Sequence, residues 1–183
     1  MADTNLGKKF ERNFGDSAKK DGIFTHRLKD TDLSYNGNLV SSFTPSNKCD
    51  FYLFGNIKDG RGTLFGIECK STGYTSIGIQ RTPEEPEKMI KSKQIESLIE
   101  LSLHEGIKAG FVLNFRDDNS NLEDTYYISI EDFNIFLDET QKKSINRTDC
   151  ELRAIRVDSK LKRKNYKYDV KKMIDDIINK GVK

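Results

Sequence analysis

The chain has 183 residues, 33% charged and 35% hydrophobic, with 10% aromatics, no Trp and a formal net charge of +2. A chain of this length buries roughly 70% of the surface it exposes when unfolded, so one globular domain is expected, and the composition excludes a disordered chain. Cys49, Cys69 and Cys150 form no Cys-x-x-Cys pair, which argues against a zinc ribbon or a disulfide framework; with no apolar signal core and no membrane-length stretch, a cytoplasmic protein is expected.

Leu6, Phe10 and Phe14 recur at four-residue intervals, predicting a helix over residues 5–20 with a narrow apolar stripe and Glu11 near its edge. Residues 21–48 are polar and turn-rich and read as loop, with a short helix as the alternative. "CDFYLF" (49–54) and "TLFGIECKST" (63–72) read as strands paired in a hairpin across the turn "NIKDGRG". Residues 73–91, with two of the three prolines, look irregular. From Ser92, taken as the cap, Ile95, Leu98, Ile99 and Leu103 recur at helical spacing. "KAGFVLNF" (108–115) reads as a central strand, "TYYISI" as another, and "EDFNIFLDET" as a short helix. Val170, Met173, Ile174, Ile177 and Ile178 lie on one face of a final helix. The order predicts a mixed sheet flanked by helices, without repeats or a second domain.

"FGIECKST" (65–72) carries the chemistry. Alternation puts Glu68 and Lys70 on one face of the strand and Ile67 and Cys69 on the other, so Cys69 is core. The neighbouring strand begins with Asp50, flanked by apolar "FYLF", and Asp50 can converge with Glu68 beside Lys70. Two carboxylates and an ammonium in one partly buried pocket suit a hard divalent cation such as Mg²⁺, which prefers oxygen ligands. Such a cation stabilises charge on a scissile phosphate and acidifies a water, while Lys70 orients that water. The same spacing also describes a surface ion pair; the apolar context on adjacent strands sets it apart, because unpaired buried charge is costly.

With these residues in place, the chain resembles the PD-(D/E)xK nuclease superfamily and, within it, the RecU-like Holliday junction resolvases. The resemblance runs through "GKKFERNF", "CDFYLF", "FGIECKST", "KQIESL", "AGFVLNF", "YYISIEDF", "KSIN" and "YDV", most of the chain in order. It implies a restriction-endonuclease-like mixed α/β fold over residues 1–183. Asp50 and Glu68 match the metal-binding acids, Lys70 the catalytic lysine, and Gln94 the glutamine opening the helix after the core strands. Glu11 matches the acid of the N-terminal helix, which in this superfamily can touch the metal or its waters, and the Cys69 carbonyl is a further ligand. The resemblance implies Mg²⁺-dependent hydrolysis, with Mn²⁺ as a substitute, leaving 5′-phosphate ends, by a homodimer acting on DNA four-way junctions. Cys49 stands where the superfamily name has proline. Residues 21–48, where RecU-like proteins carry a stalk that enters the junction, are short and poorly matched, so a restriction-type or DNA-end-processing nuclease remains the alternative. A catalytically idle DNA-binding module is the third reading, against which stand the retained Asp50, Glu68 and Lys70.

Residues 153–172 carry nine basic residues against Asp158 and Asp169, interleaved with Tyr166 and Tyr168. Such a run is commonly a solvated face; beside an acidic metal site it suits a phosphate backbone, making Lys160, Lys162, Arg163, Lys164 and Lys167 candidate DNA contacts, extended by Lys19, Lys20, Arg27, Lys91 and Lys93. Ser71 and Thr72 are candidate phosphate contacts, although strand-end hydroxyls commonly bond locally. Without the resemblance, Gln94 and Glu11 read as solvated helix residues. His26 and His104 lack metal-ligand spacing, and no glycine loop indicates a nucleotide cofactor.

Overall fold

The computed structural model describes residues 3–28, 47–56, 62–117 and 122–180. In chain order its elements are α1 (Asp3–Lys20), β1 (Phe24–Arg27), β2 (Phe51–Asn56), β3 (Gly62–Thr72), β4 (Ser76–Gly78), α2 (Ser92–Ser102), β5 (Ile107–Asp117), β6 (Leu122–Ser129), α3 (Ile130–Thr140), β7 (Ser144–Asn146), α4 (Arg147–Arg153), β8 (Ile155–Arg156), β9 (Ser159–Lys162), β10 (Asn165–Tyr168) and α5 (Val170–Lys180). The main sheet runs β1-β2-β3-β5-β6-β8. Only β3 and β5 pair in parallel, joined through α2, and every other neighbour is antiparallel. This is the restriction-endonuclease-like mixed sheet with flanking helices that the sequence predicts. No helix among the described residues is long and apolar enough to cross a membrane.

Strand alternation divides the core in two. Ala109, Phe111, Leu113 and Phe115 of β5 face α2 and α3. Phe65, Ile67 and Cys69 of β3 and Val112 of β5 face Phe10, Phe14 and Ala18 of α1 and the apolar side of α5. Each large apolar side chain buried in this way contributes about 1.5–3 kcal/mol relative to exposure.

Several local expectations need correction. β1 lies inside the segment read as loop; it is a mostly exposed edge strand with no alternation to reveal it. The remainder of that segment, residues 29–46, where a stalk would fall, lies outside the described residues. Ser92 is the first helical residue of α2 and is buried; the turn is closed by Gln94, whose Oε1 accepts the Lys91 N–H at 3.0 Å. Leu103 lies just past the helix and is 79% exposed, and Leu101 packs in its place. The basic stretch contains β8 and a β9–β10 hairpin, and β4 pairs with β7.

A side chain at Gly110 of β5 would press on the Ile128 carbonyl oxygen and stand 2.8 Å from the Tyr127 ring, whereas one at Gly7 of α1 would meet nothing within 4 Å. Gly110→Ala is therefore expected to destabilise the fold by about 1–3 kcal/mol through overpacking against backbone. Gly7→Ala should stabilise it by about 0.5–1 kcal/mol through helix propensity. Urea unfolding of both variants checks the opposite signs; a neutral Gly110→Ala would mean that β5 and β6 pack less tightly than these distances imply.

Candidate active site

The β2–β3 ladder pairs Phe51 with Ile67, and Asp50 adds one more bond, its N–H donating to the Ile67 carbonyl at 3.0 Å. Past Ile67, β2 no longer covers the edge of β3. The Cys69 N–H, left without a strand partner, is satisfied instead by a side chain, donating to Asp50 Oδ2 at 2.7 Å. The N–H and C=O of an extended residue point to the same side, so the Cys69 carbonyl lies on this same open edge. Its thiol faces the core, and burial drives its pKa well above the ordinary value.

Glu68 and Lys70 emerge here on the α2 face, as the alternation predicts. Lys70 Nζ donates to Glu68 Oε1 at 2.8 Å, and Gln94 Nε2 donates to the same oxygen. Gln94 thus works at both ends: Oε1 closes the first turn of α2 and Nε2 holds the carboxylate. Glu68 is 5% exposed. Burial pushes its carboxyl up to about 7 against the relief given by Lys70, and the nearby charges of Asp50 and Glu11 push the same way.

Glu11 arrives from the other face of the sheet, on α1. Arg27 of β1 donates to Glu11 Oε2 and places its guanidinium 6.0 Å from the Phe51 ring centroid. Burial raises the Glu11 pKa, and the charge of Asp50 raises it further, while Arg27 and Lys70 oppose. Three carboxylates, from α1, the start of β2 and β3, are thereby electrostatically linked around one lysine. The described residues hold no group of three or more His, Cys, Asp or Glu side chains already arranged as a metal site. Each of the three carboxylates is met by a protein donor.

The structure thus brings together Glu11, Asp50, Glu68, Lys70, Gln94 and the Cys69 backbone. The candidate phosphate contacts divide differently. Lys160, Lys162, Arg163 and Lys164 are exposed on the hairpin, but Lys167 is paired with Asp21 at 3.0 Å. Ser71 lies on the face opposite Lys70; its Oγ donates to Asn114 Oδ1 at 2.6 Å and accepts from Arg116 Nε at 3.0 Å. Thr72 is fully buried, and its hydroxyl accepts the Tyr74 N–H, so it shapes a turn and does not meet solvent. Among the extending residues, Arg27 belongs to the acidic cluster and Lys91 pairs with Glu87.

Sequence reasoning passed over Arg27 as the partner of Glu11 and Asn114 as the partner of Ser71. Asn114 carried a signal, a lone amide in the apolar run "GFVLNF". Arg27 carried none, since its strand is exposed.

Between the ordinary carboxylate value of 4.5 and about 7, the folded chain holds a proton on Glu68 that the unfolded chain has lost, so metal-free stability falls as pH rises through that window. In EDTA, Glu68→Gln is expected to flatten this fall, giving a higher melting temperature than the parent at pH 8 and a smaller difference at pH 5. Parallel melting curves for the two proteins across that range would show that Glu68 is not the titrating group.

No protein-family profile matches the chain. Among solved structures, it is similar to Hjc of Archaeoglobus fulgidus, a Holliday junction resolvase from an archaeal hyperthermophile. The TM-score is 0.50 at 18% identity, over 82% of this chain and 95% of that one, a likeness of fold. Among curated proteins, it is 32% identical over 194 residues to the SPbeta prophage-derived uncharacterized protein YotM of Bacillus subtilis (strain 168), covering 98% of this chain and 90% of the relative. By that near full-length relationship, the chain belongs to the family of this prophage-derived protein.

Proposed function

We propose that the protein is a metal-dependent DNA endonuclease, a Holliday junction resolvase of the RecU-like kind, acting as a homodimer in recombination or repair. One observation carries the reading: Asp50, Glu68 and Lys70 meet at the opening of the β2–β3 ladder, flanked by Gln94 and Glu11 from opposite faces. The likeness of fold to an archaeal junction resolvase supports it.

The donor set suits a hard divalent cation. Carboxylate and carbonyl oxygens line one strand edge; burial, and after it the charge of Asp50, raises the carboxyls of Glu68 and Glu11, and a bound cation would favour their charged forms. Asp50, Glu68 and the Cys69 carbonyl would hold Mg²⁺ or Mn²⁺, with Glu11 touching the ion or its waters. Bound there, the ion supplies charge neutralisation at the scissile phosphate and an acidified water. Lys70 orients the attacking water and offsets charge developing on the phosphate. Gln94 fixes the Glu68 carboxylate, and Arg27 fixes Glu11. Water oxygen attacks phosphorus, the bond to the 3′ oxygen breaks, and that oxygen takes up a proton, leaving a 3′-hydroxyl and a 5′-phosphate.

The hairpin supplies the phosphate-binding surface in this reading. Lys162 pairs with Asn165, so Arg163 and Lys164 form its two-residue tip. Arg163 has φ of 59°, a left-handed conformation that costs a non-glycine residue about 1–2 kcal/mol. Lys9 of α1 donates to the Lys164 carbonyl at 2.8 Å, anchoring the tip to the helix that carries Glu11.

Cleavage of labelled four-way junction, duplex and single strand with Mg²⁺ or EDTA tests the reading. Paired nicks in the junction alone, lost in EDTA, are expected; equal cutting of duplex would move the substrate to a restriction-type or end-processing class. Glu68→Gln should slow cleavage by about 10²–10³-fold or more while junction binding in EDTA stays close to that of the parent. Normal cutting by this variant would overturn the site. Replacing Lys160, Lys162, Arg163 and Lys164 by Ala should reduce the slope of log affinity against log salt by about 0.9 for each phosphate no longer neutralised. An unchanged slope would remove the hairpin from the DNA surface.

A further inference from the structure

Beyond Thr72, the chain leaves the catalytic strand through a tight turn at residues 73–75. The turn is fixed from within, because Thr72 Oγ1 accepts the Tyr74 N–H at 3.0 Å while Thr72 is itself buried. This geometry presents Tyr74 outwards, 70% exposed, four residues beyond Lys70. Beside it opens a groove of about 610 Å³, walled by the turn, by Arg116 and Asp117 at the end of β5, and by Arg147 and Thr148. Two guanidiniums against one carboxylate favour an anionic occupant.

The two arginines are held differently. Arg116 is tied through Nε to Ser71, the residue after Lys70, which sets its guanidinium at a fixed offset from the catalytic strand. Arg147 is held loosely: one terminal nitrogen donates to the Phe115 carbonyl at 3.3 Å, the other stands 3.7 Å from Asp124, and its buried Nε has no hydrogen-bond partner among the described residues. Long contacts and an orphan donor make its present position easy to give up for a phosphate. An exposed ring flanked by guanidiniums is the pairing that binds nucleic acid by stacking on a base face and gripping the adjacent backbone.

We propose that this groove seats the DNA strand next to the scissile phosphate, with Tyr74 stacked on a base and Arg116 and Arg147 on flanking phosphates. The inference rests on the nuclease reading of the neighbouring site and deepens it. A ring can stack only on a base whose face is open, so Tyr74 selects DNA with an unstacked base, as at a branch point, over continuous duplex.

The chain contains no Trp, so Tyr74→Trp introduces a single indole reporter. In EDTA, its emission should be quenched by unlabelled four-way junction with the midpoint given by anisotropy of labelled junction, and should be little changed by duplex of equal length. Tyr74→Ala should weaken junction binding about tenfold, within the range for loss of one base–aromatic stack, and leave duplex binding unchanged. Junction binding seen by anisotropy without quenching, together with parent-like affinity of Tyr74→Ala, would overturn the groove assignment and leave the nuclease reading standing. Absence of DNA binding by the parent protein would overturn both.

Discussion

The hydrogen bond from the Cys69 N–H to the Asp50 carboxylate is the interaction on which the site depends. A buried backbone donor must find a partner, and in most of the sheet the neighbouring strand provides it. Here the ladder stops at Ile67, and a side chain from the departing strand takes over. The same departure opens the edge of β3 just where Glu68, Cys69 and Lys70 follow one another. Ending a strand pair early is thus the means by which a sheet otherwise devoted to packing exposes a row of charged and backbone oxygen groups.

Keeping Glu68 at that edge is costly for the fold. A carboxylate almost wholly removed from water loses more hydration than one lysine contact restores, as its raised pKa records. The structure answers with positioning more than with neutralisation. Gln94 cannot flip its amide without losing both bonds, since Oε1 accepts from the Lys91 N–H while Nε2 donates to Glu68. Arg27 plays the corresponding part on the opposite face, where an edge strand reaches α1 and holds Glu11. The acidic cluster is therefore braced from both faces of the sheet.

What was legible in the sequence follows from where periodicity is strong. The alternation in "FGIECKST" separated Glu68 and Lys70 from Ile67 and Cys69, and the two-sided core bears this out. Phe10 and Phe14 of α1 and the stripe of α5 were readable for the same reason. Elements whose outward face is most of their surface were not. β1 is nearly all exposed, and β9 and β10 read as a charge run because Lys160 and Lys162 alternate with an exposed Leu161. Thr72 misled in the other direction: a hydroxyl at the end of the catalytic strand suggested contact with phosphate, but Thr72, although it shares the face of Glu68 and Lys70, sits beside Phe115 wholly buried, with its hydroxyl taken by the Tyr74 N–H.

The polar residues inside the second core explain how the basic hairpin keeps its position relative to the catalytic strand. Tyr168, which ends β10, donates to Glu123 of β6 at 2.5 Å, and its backbone N–H donates to Ser17 of α1 at 3.1 Å. Glu123 bonds Asn114 of β5, and Asn114 accepts from Ser71 and donates to Thr125 at 3.0 Å. Asn114 and Thr125 are buried, and burial raises the Glu123 pKa despite its bonds to Tyr168 and Asn114. An apolar core at these positions would pack as well and would tolerate sliding of the hairpin over α1, because dispersion contacts have little direction. Hydrogen bonds do not tolerate it, since a shift of an ångström leaves buried donors unmet. The path from Tyr168 to Ser71 crosses three adjacent strands and ends beside Lys70, so the surface that carries the exposed lysines and the edge that carries the carboxylates are held in one frame.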